Sequence, residues 1–172
     1  MEPRRARPFL TMKDQIEKVK TFHRLTENDW RETPGVPGED RLALRTNLII
    51  EEAREFEEAA KKGDLVEMAD ALTDLLYVTY GSLGELGLAN IADHLFDEVQ
   101  ASNMSKVCKT KEEAELTVAW YKDQKKTGQC EAEFRAVPGG FLVERVSDGK
   151  ILKSKNYSPV NLVDIIAQDI PE

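Results

Sequence analysis

The chain has 172 residues, enough for one domain with a core and a small appendage. Its 32 acidic residues outnumber the 24 lysines and arginines, giving a net charge of −8. This balance disfavours a nucleic-acid polymer as partner, and no apolar run is long enough to cross a membrane. The chain begins with the basic residues 1–10, which no apolar signal region follows, so we expect a disordered tail on a cytoplasmic protein.

Helical periodicity and flanking cap residues predict five helices between residues 11 and 128. The expected spans are 11–30, 39–62, 65–81, 91–107 and 111–128. The second and third helices are separated only by Gly63, a predicted C-cap, and Asp64, a predicted N-cap. Because this turn is so tight, we expect the two helices to pack antiparallel.

The pattern changes after residue 130. Residues 131–137 and 141–146 alternate polar and apolar side chains on either side of Pro138-Gly-Gly140, which predicts a β-hairpin or small meander. We therefore expect an all-α bundle with a β-hairpin appendage. The expected domains are a tail at 1–10, a helical domain at 11–128, and a hairpin with C-terminal extension, packed on the bundle, at 129–172.

The second predicted helix carries acidic residues where a core face is expected. On a helical wheel, Leu44, Leu48 and Ala59 define an apolar arc about 60° wide. Three acids fall on or beside the same arc: Glu51, Glu52 and Glu55. These acids are therefore not on the solvated back of the helix.

The third predicted helix shows the same anomaly. Residues 71–80 are apolar almost all round, which predicts a buried helix. Glu67, Asp70 and Asp74 nevertheless share one stripe about 60° wide. Each of these acids would cost several kcal/mol if it were buried without a partner.

A divalent cation would compensate these charges. Hard cations such as Mg²⁺, with Mn²⁺ as a substitute, take oxygen ligands and bridge carboxylates to substrate phosphates. Antiparallel packing would place Glu52 and Glu55 opposite Glu67 and Asp70. Two pairs with i, i+3 spacing would then make a cage of four carboxylates. For any single acid, a position in solvent is an alternative to metal binding. For Glu67, a further alternative is that it only forms a helix cap together with Asp64.

The end of the fourth predicted helix carries a second polar patch. Glu98, Ser102 and Lys106 share one side, and Asn103 lies beside them. Such a patch suits an anionic ligand. An ordinary helix end, with a lysine near the negative end of the helix dipole, explains it equally well.

These residues resemble a known family. Glu51-Glu-Ala-Arg-Glu55 followed by Glu67-Met-Ala-Asp70 resembles the EExxE…ExxD signature of the MazG-type all-α nucleoside triphosphate pyrophosphohydrolases. The wider sequence is similar to their phosphoribosyl-ATP pyrophosphohydrolase-like branch over about residues 12–107. Further matching segments are Phe22-His23, Leu44-Arg45, 48–52, 70–78, Tyr80-Gly81 and Ser102-Asn-Met-Ser-Lys106.

The resemblance implies a homodimeric or homotetrameric bundle in which helices of two chains complete each site. It also implies Mg²⁺-dependent cleavage of a nucleoside triphosphate between the α- and β-phosphates, serving nucleotide-pool house-cleaning. Carried over by position, the metal ligands would be Glu52, Glu55, Glu67 and Asp70. The catalytic residues would be Glu51, Glu52 and Glu55, with Glu51 either a further ligand or the group that activates water. The substrate would be bound by Asn103, Lys106, Asp74 and His23. Packing of Phe22, His23 or Trp30 on a base is one hypothesis, and a core position is the other.

Three alternatives stay open. The first is a phosphoribosyl-ATP pyrophosphohydrolase of histidine biosynthesis, with the same scissile bond and another base moiety. The second, a di-iron bundle, requires Glu-x-x-His pairs, and neither His23 nor His94 follows a glutamate at that spacing. The third is a non-catalytic helical interaction module.

Overall fold

The computed structural model describes residues 11–123 and 130–170. These residues are mostly helical, with one small antiparallel sheet near the C-terminus. In chain order the elements are α1 (Met12–Leu25), α2 (Glu39–Lys62), α3 (Leu65–Glu85), a 3-10 turn (Ala89–Ile91), α4 (Ala92–Met104), α5 (Lys111–Asp123), β1 (Ala132–Val137), β2 (Gly140–Arg145) and α6 (Val163–Gln168). None of the helices among them is long and apolar enough to cross a membrane.

The helix boundaries follow the predictions closely at the α2–α3 turn. Gly63 is the C-cap of α2 in the left-handed conformation, with φ 69°, which glycine adopts without steric cost. Asp64 caps α3 by accepting hydrogen bonds from the backbone N–H groups of Val66 and Glu67, at 3.1 and 3.2 Å. Both predicted caps are therefore confirmed.

Other boundaries were predicted less well. The expected continuation of the first helix to residue 30 is wrong, because Glu27 has a positive φ of 54° and the helix ends at Leu25. α3 runs four residues beyond the predicted end at Gly81. The predicted end of the fifth helix near residue 128 and the predicted tail at residues 1–10 lie outside the described residues.

The chain divides into two compact units. The first contains residues 11–93 and 163–170, and the second contains residues 94–123 and 130–162. This division groups α5 with the hairpin. The domain boundaries expected from the sequence, on either side of residue 128, stay a prediction.

The first unit is held together partly by a buried ion-pair network. Glu85 of α3 is fully buried and forms ion pairs with Arg41 and Arg45 of α2. Trp30 lies against Gly84, where an added Cβ would be 2.2 Å from the indole ring. The glycine therefore permits the close approach of the loop to α3.

The apolar sequence of α3 is not fully covered. Leu72, Leu76 and Tyr77 are 46%, 53% and 39% exposed. α3 is therefore only partly buried in the single chain, and its burial by a second copy stays a prediction. The physical reason is that α1 and α2, the long helices in contact with α3, cover only part of its circumference.

The second unit has its own core. β1 and β2 pair antiparallel from Ala132–Arg145 to Val137–Gly140, which confirms the predicted hairpin. Ile151 adds only an isolated bridge to Glu144. The core cluster combines residues of α5, the hairpin and their flanks: Cys108, Ala114, Val118, Tyr121, Ala132, Val143 and Leu152.

Candidate functional site

Glu52 of α2 lies partly buried between α2 and α3. Its Oε2 atom is buried, and no side chain or backbone group in the described part of the chain donates a hydrogen bond to it. An unpartnered buried carboxylate oxygen costs free energy, because desolvation is not repaid. This oxygen is therefore a position where a bound ligand would lower the free energy of the folded chain.

Other acids surround the same carboxylate. Burial is the first cause that raises the pKa of Glu52 above its ordinary value. The negative charges of its neighbours add to the rise, in the order Glu55, Asp74, Glu51 and Asp70. The structure thus brings five of the six acids that share the two helical stripes into one electrostatic cluster.

The sixth acid lies at the edge of this cluster. Glu67, in the first turn of α3, lines an open depression of 360 Å³ together with Glu55, Glu58, Ala59, Lys62 and Asp64. Glu55 is therefore shared between the depression and the surroundings of Glu52. The predicted pairing of Glu52 and Glu55 with Glu67 and Asp70 stays a prediction.

Glu51 faces a different environment from its neighbour. It is exposed and lines a groove of 530 Å³ along α2 with Arg54, Glu55 and Glu58, among others. Successive helical residues differ by about 100° in direction, so Glu51 and Glu52 present their carboxylates to separate spaces. Glu51 is the solvent-side member of the pair.

The donor set fits a hard divalent cation. All six side chains offer carboxylate oxygens, and Mg²⁺ in phosphate-handling sites takes few protein ligands, with water and substrate phosphates as the rest. Across residues 11–123 and 130–170, no three His, Cys, Asp or Glu side chains are already arranged to hold a metal ion. The metal-ligand roles of Glu52, Glu55, Glu67 and Asp70 stay a prediction.

The predicted phosphate-binding residues lie in the second unit. Lys106 Nζ donates a hydrogen bond to Asn103 Oδ1 at 2.7 Å. Asn103 is exposed, and Lys106 follows the end of α4 in a turn. The pair offers an amide and an ammonium group to an anion, and its proposed role is not tested by this geometry.

His23 occupies a core position. The residue is 3% exposed, its Nδ1 lies 3.1 Å from the carbonyl oxygen of Asp29, and its ring contacts Trp30 edge to face. Burial lowers the pKa of His23 below its ordinary value. This environment gives His23 a structural role, and its predicted contact with substrate stays a prediction.

Sequence reasoning did not find two groups of polar contacts. One is the ion-pair network of Arg41, Arg45 and Glu85, whose only sequence signal is the i, i+4 spacing of the two arginines. The other joins Ser102 of α4 to Ser158, 56 residues later. No sequence pattern indicates the second, because serine hydroxyls have no periodic signature.

Comparisons with known proteins match the part of the chain that contains these acids. Residues 19–103 match the family model described as phosphoribosyl-ATP pyrophosphohydrolase. An uncharacterized protein of Acanthamoeba polyphaga mimivirus is 33% identical over 76 residues, which cover 43% of this chain and 30% of that protein. The chain thus matches less than a third of the length of this curated relative. Residues 19–103, which contain all six acids, belong to the phosphoribosyl-ATP pyrophosphohydrolase family within the MazG-like superfamily.

Proposed function

We propose that this protein is a Mg²⁺-dependent nucleoside triphosphate pyrophosphohydrolase. It cleaves between the α- and β-phosphates, giving a nucleoside monophosphate and pyrophosphate, and serves nucleotide-pool house-cleaning in the cytoplasm. The observation that carries the proposal is the buried Glu52 oxygen, which lies among four further acids and receives no hydrogen bond from residues 11–123 and 130–170. Membership of residues 19–103 in a pyrophosphohydrolase family supports it.

The carboxylates divide into two roles in this proposal. Metal binding falls to Glu52, Glu55, Glu67 and Asp70. When bound, Mg²⁺ neutralises the triphosphate, polarises the scissile phosphorus and lowers the pKa of a bound water. Mn²⁺ substitutes for it.

Glu51 orients the attacking water, since its exposed carboxylate lines the same groove as that of Glu55. The water oxygen forms a bond to the α-phosphorus, the bridging P–O bond breaks, and pyrophosphate leaves. The water proton passes to the Glu51 carboxylate.

Binding of a polyanion by a chain of charge −8 requires local positive charge. Metal ions provide it at the acidic cluster. Asn103 and Lys106 contact phosphate or sugar, and Asp74 contributes to substrate binding from the same stripe of α3 as Asp70.

The proposal includes a homodimer or homotetramer. The exposed apolar side chains of α3, Leu72, Leu76 and Tyr77, support a second copy as the cover for this face. Burial of apolar surface would stabilise such an assembly by about 25 cal/mol for each Å² removed from water.

A second candidate substrate is favoured by the description of the matching family. Phosphoribosyl-ATP contains the same scissile bond, and its hydrolysis would place the protein in histidine biosynthesis. The two candidates differ only in the base moiety that the site accepts.

A pyrophosphate-release screen tests both candidates. The wild-type protein is incubated with Mg²⁺ and with common, deaminated and oxidised nucleoside triphosphates, or with phosphoribosyl-ATP, and products are identified by ³¹P NMR. We expect pyrophosphate and a monophosphate from at least one triphosphate. Preferential turnover of phosphoribosyl-ATP would establish the second candidate. The absence of turnover on the whole panel, with Mg²⁺ and with Mn²⁺, would support a non-catalytic interaction module.

A further inference from the structure

A loop near the C-terminus, residues 153–161 and named here the C-terminal loop, contacts the end of α4. Ser102 is 5% exposed, and its hydroxyl donates a hydrogen bond to the carbonyl oxygen of Ser158 at 2.8 Å. The same hydroxyl lies 3.2 Å from the hydroxyl oxygen of Tyr157. Both contacts join positions more than 50 residues apart in sequence.

A second serine extends this contact. Ser105 Oγ accepts a hydrogen bond from the backbone N–H of Ser158 at 2.9 Å and donates one to the carbonyl oxygen of Ser102 at 2.7 Å. Ser154 Oγ donates to the carbonyl oxygen of Ser105 at 2.8 Å. The last carbonyls of a helix have no partner within the helix, so hydroxyl donors supply what this helix end lacks.

The loop contacts follow one face of α4. Glu98, Ser102 and Ser105 stand at i, i+4 and i+7, which places them on the same side of the helix. Glu98 Oε1 accepts a hydrogen bond from the backbone N–H of Asn161 at 2.9 Å. The end of α4 is therefore attached to the C-terminal loop at three successive turns.

The C-terminal loop is itself anchored on α5. Tyr121 Oη donates to the carbonyl oxygen of Lys153 at 3.2 Å, and the backbone N–H of Lys155 donates to Thr117 Oγ1 at 3.1 Å. Tyr121 and Thr117 are buried in the core of the second unit. The loop thus links the end of α4 to a rigid core.

Asn103 and Lys106 lie beside this attachment. Asn103 lies one residue after Ser102, and Lys106 lies one residue after Ser105, in the turn where regular helical hydrogen bonding has ended. Helix ends fray unless side chains or other segments satisfy their backbone groups. The position of Lys106 is therefore set by the contacts of Ser105.

We propose that Ser102 and Ser105 are positioning residues, through which the C-terminal loop holds Asn103 and Lys106 in the arrangement that meets the phosphate or sugar of the nucleotide. The inference rests on the proposed function for its substrate. It assigns a role in substrate binding to residues 153–161, which lie outside the segment matched by the family.

The test compares Ser102→Ala with Ser147→Ala, a matched substitution of an exposed serine in the turn after β2. Hydrogen exchange of full-length protein without nucleotide measures the attachment directly. In Ser102→Ala we expect the backbone amides of residues 102–107 to exchange at least about fivefold faster, which corresponds to the loss of one hydrogen bond. The exchange rates of the hairpin amides should not change in this variant. Ser147→Ala should exchange at the wild-type rate at residues 102–107. Equal protection in both variants, or faster exchange throughout the hairpin, would overturn the proposal.

Steady-state kinetics on a nucleotide turned over by the wild type form the second arm. Ser102→Ala should raise KM about fivefold and change kcat less than twofold, and Ser102→Thr, which keeps the hydroxyl, should restore KM. Tyr157→Phe, which keeps the ring, should show a smaller rise. An unchanged KM in Ser102→Ala would contradict the inference. If the wild type turned over no nucleotide, the proposed function would be refuted. Hydrogen exchange would then still show whether Ser102 attaches the C-terminal loop to the end of α4.

Discussion

The carboxylate of Glu52 raises the free energy of the folded chain when no ligand is bound. Its buried oxygen lacks a hydrogen-bond donor among the described residues, and the neighbouring acids repel its charge. Such arrangements persist when function requires them, since a well-packed apolar residue would be more stable there. The helical wheel predicted that Glu52 lies on the apolar face of α2, because the 3.6-residue period fixes the side of the helix on which each residue lies without knowledge of the fold.

Glu52→Gln is expected to stabilise the protein in the presence of EDTA. The pKa of Glu52 is raised in the folded chain, so its contribution to stability is lost as pH rises through the ordinary value of 4.5 towards the raised value. The amide removes this loss at neutral pH, raising Tm by about 2–4 °C, on the order of 1 kcal/mol for a chain of this size.

Mg²⁺ should stabilise the wild type and leave Glu52→Gln unchanged. Bound metal raises the Tm of the wild type, because a ligand that binds only the folded state stabilises it. Glu52→Gln should lose that response. Thermal unfolding with EDTA and with Mg²⁺ measures both effects, and a lower Tm of Glu52→Gln in EDTA would contradict the account.

Glu85→Gln should destabilise the first unit strongly. Burial alone would raise the pKa of Glu85, but hydrogen bonds from Arg41 and Arg45 outweigh burial and hold the pKa below its ordinary value. Removing the negative charge takes the ion-pair partner from the partly buried guanidinium of Arg45 and leaves Arg41 only the carboxylate of Asp29 at 3.8 Å, at a cost of about 3 kcal/mol. Urea unfolding measures the change.

Glu57→Gln serves as the control for this substitution. Glu57 pairs with Lys61 at 2.6 Å on the exposed side of α2, and an exposed i, i+4 pair contributes little to stability because water screens it. Equal destabilisation by the two substitutions would show that the buried network is not important for stability.

Among the elements, α2 and the α2–α3 turn were predicted to the residue. Both boundaries depend on local chemistry, with Gly63 in the left-handed conformation and Asp64 accepting hydrogen bonds from the first turn of α3. The end of α1 was not predicted, since the sequence around Glu27 has no strong helix breaker. α6 was also missed, because six residues are too few for a periodic signal.

The exposed face of α3 leads to a prediction about assembly. Leu76 is 53% exposed at the centre of this face, and a lysine there places a charge in an apolar interface. Leu76→Lys should convert a dimer or tetramer to a smaller species without loss of helix content.

Light scattering after size exclusion, with circular dichroism, measures both properties. Leu116→Lys, which makes the same change at a leucine of α5 that is 54% exposed, is the matched control and should leave the mass unchanged. A monomeric wild type, or an unchanged mass in Leu76→Lys, would refute this face as the interface.

At the scale of the whole molecule, the family segment does not coincide with one structural unit. Residues 19–103 extend through the first unit into α4, which carries Asn103 in the second. The hairpin could be predicted, because alternation of polar and apolar residues is a two-residue signal. The attachment of the C-terminal loop to α4 could not, because it depends on tertiary contacts between distant serines.

The acidic charge of the molecule also has a consequence for catalysis. A chain of charge −8 repels a triphosphate, so substrate binding and turnover should both require divalent cations. We expect the acids of the α2 and α3 stripes to be the groups that bind these cations.

The most direct test is the Mg²⁺ dependence of pyrophosphate release by Glu55→Gln and Glu57→Gln. The two substitutions remove one negative charge each from α2, the first beside Glu52 and the second on the exposed side. We predict that Glu55→Gln lowers kcat/KM at least about 100-fold at saturating Mg²⁺, and that Glu57→Gln retains wild-type turnover and the same Mg²⁺ midpoint. Equal activity of the two variants, or release that continues in excess EDTA, would contradict a carboxylate metal site between α2 and α3.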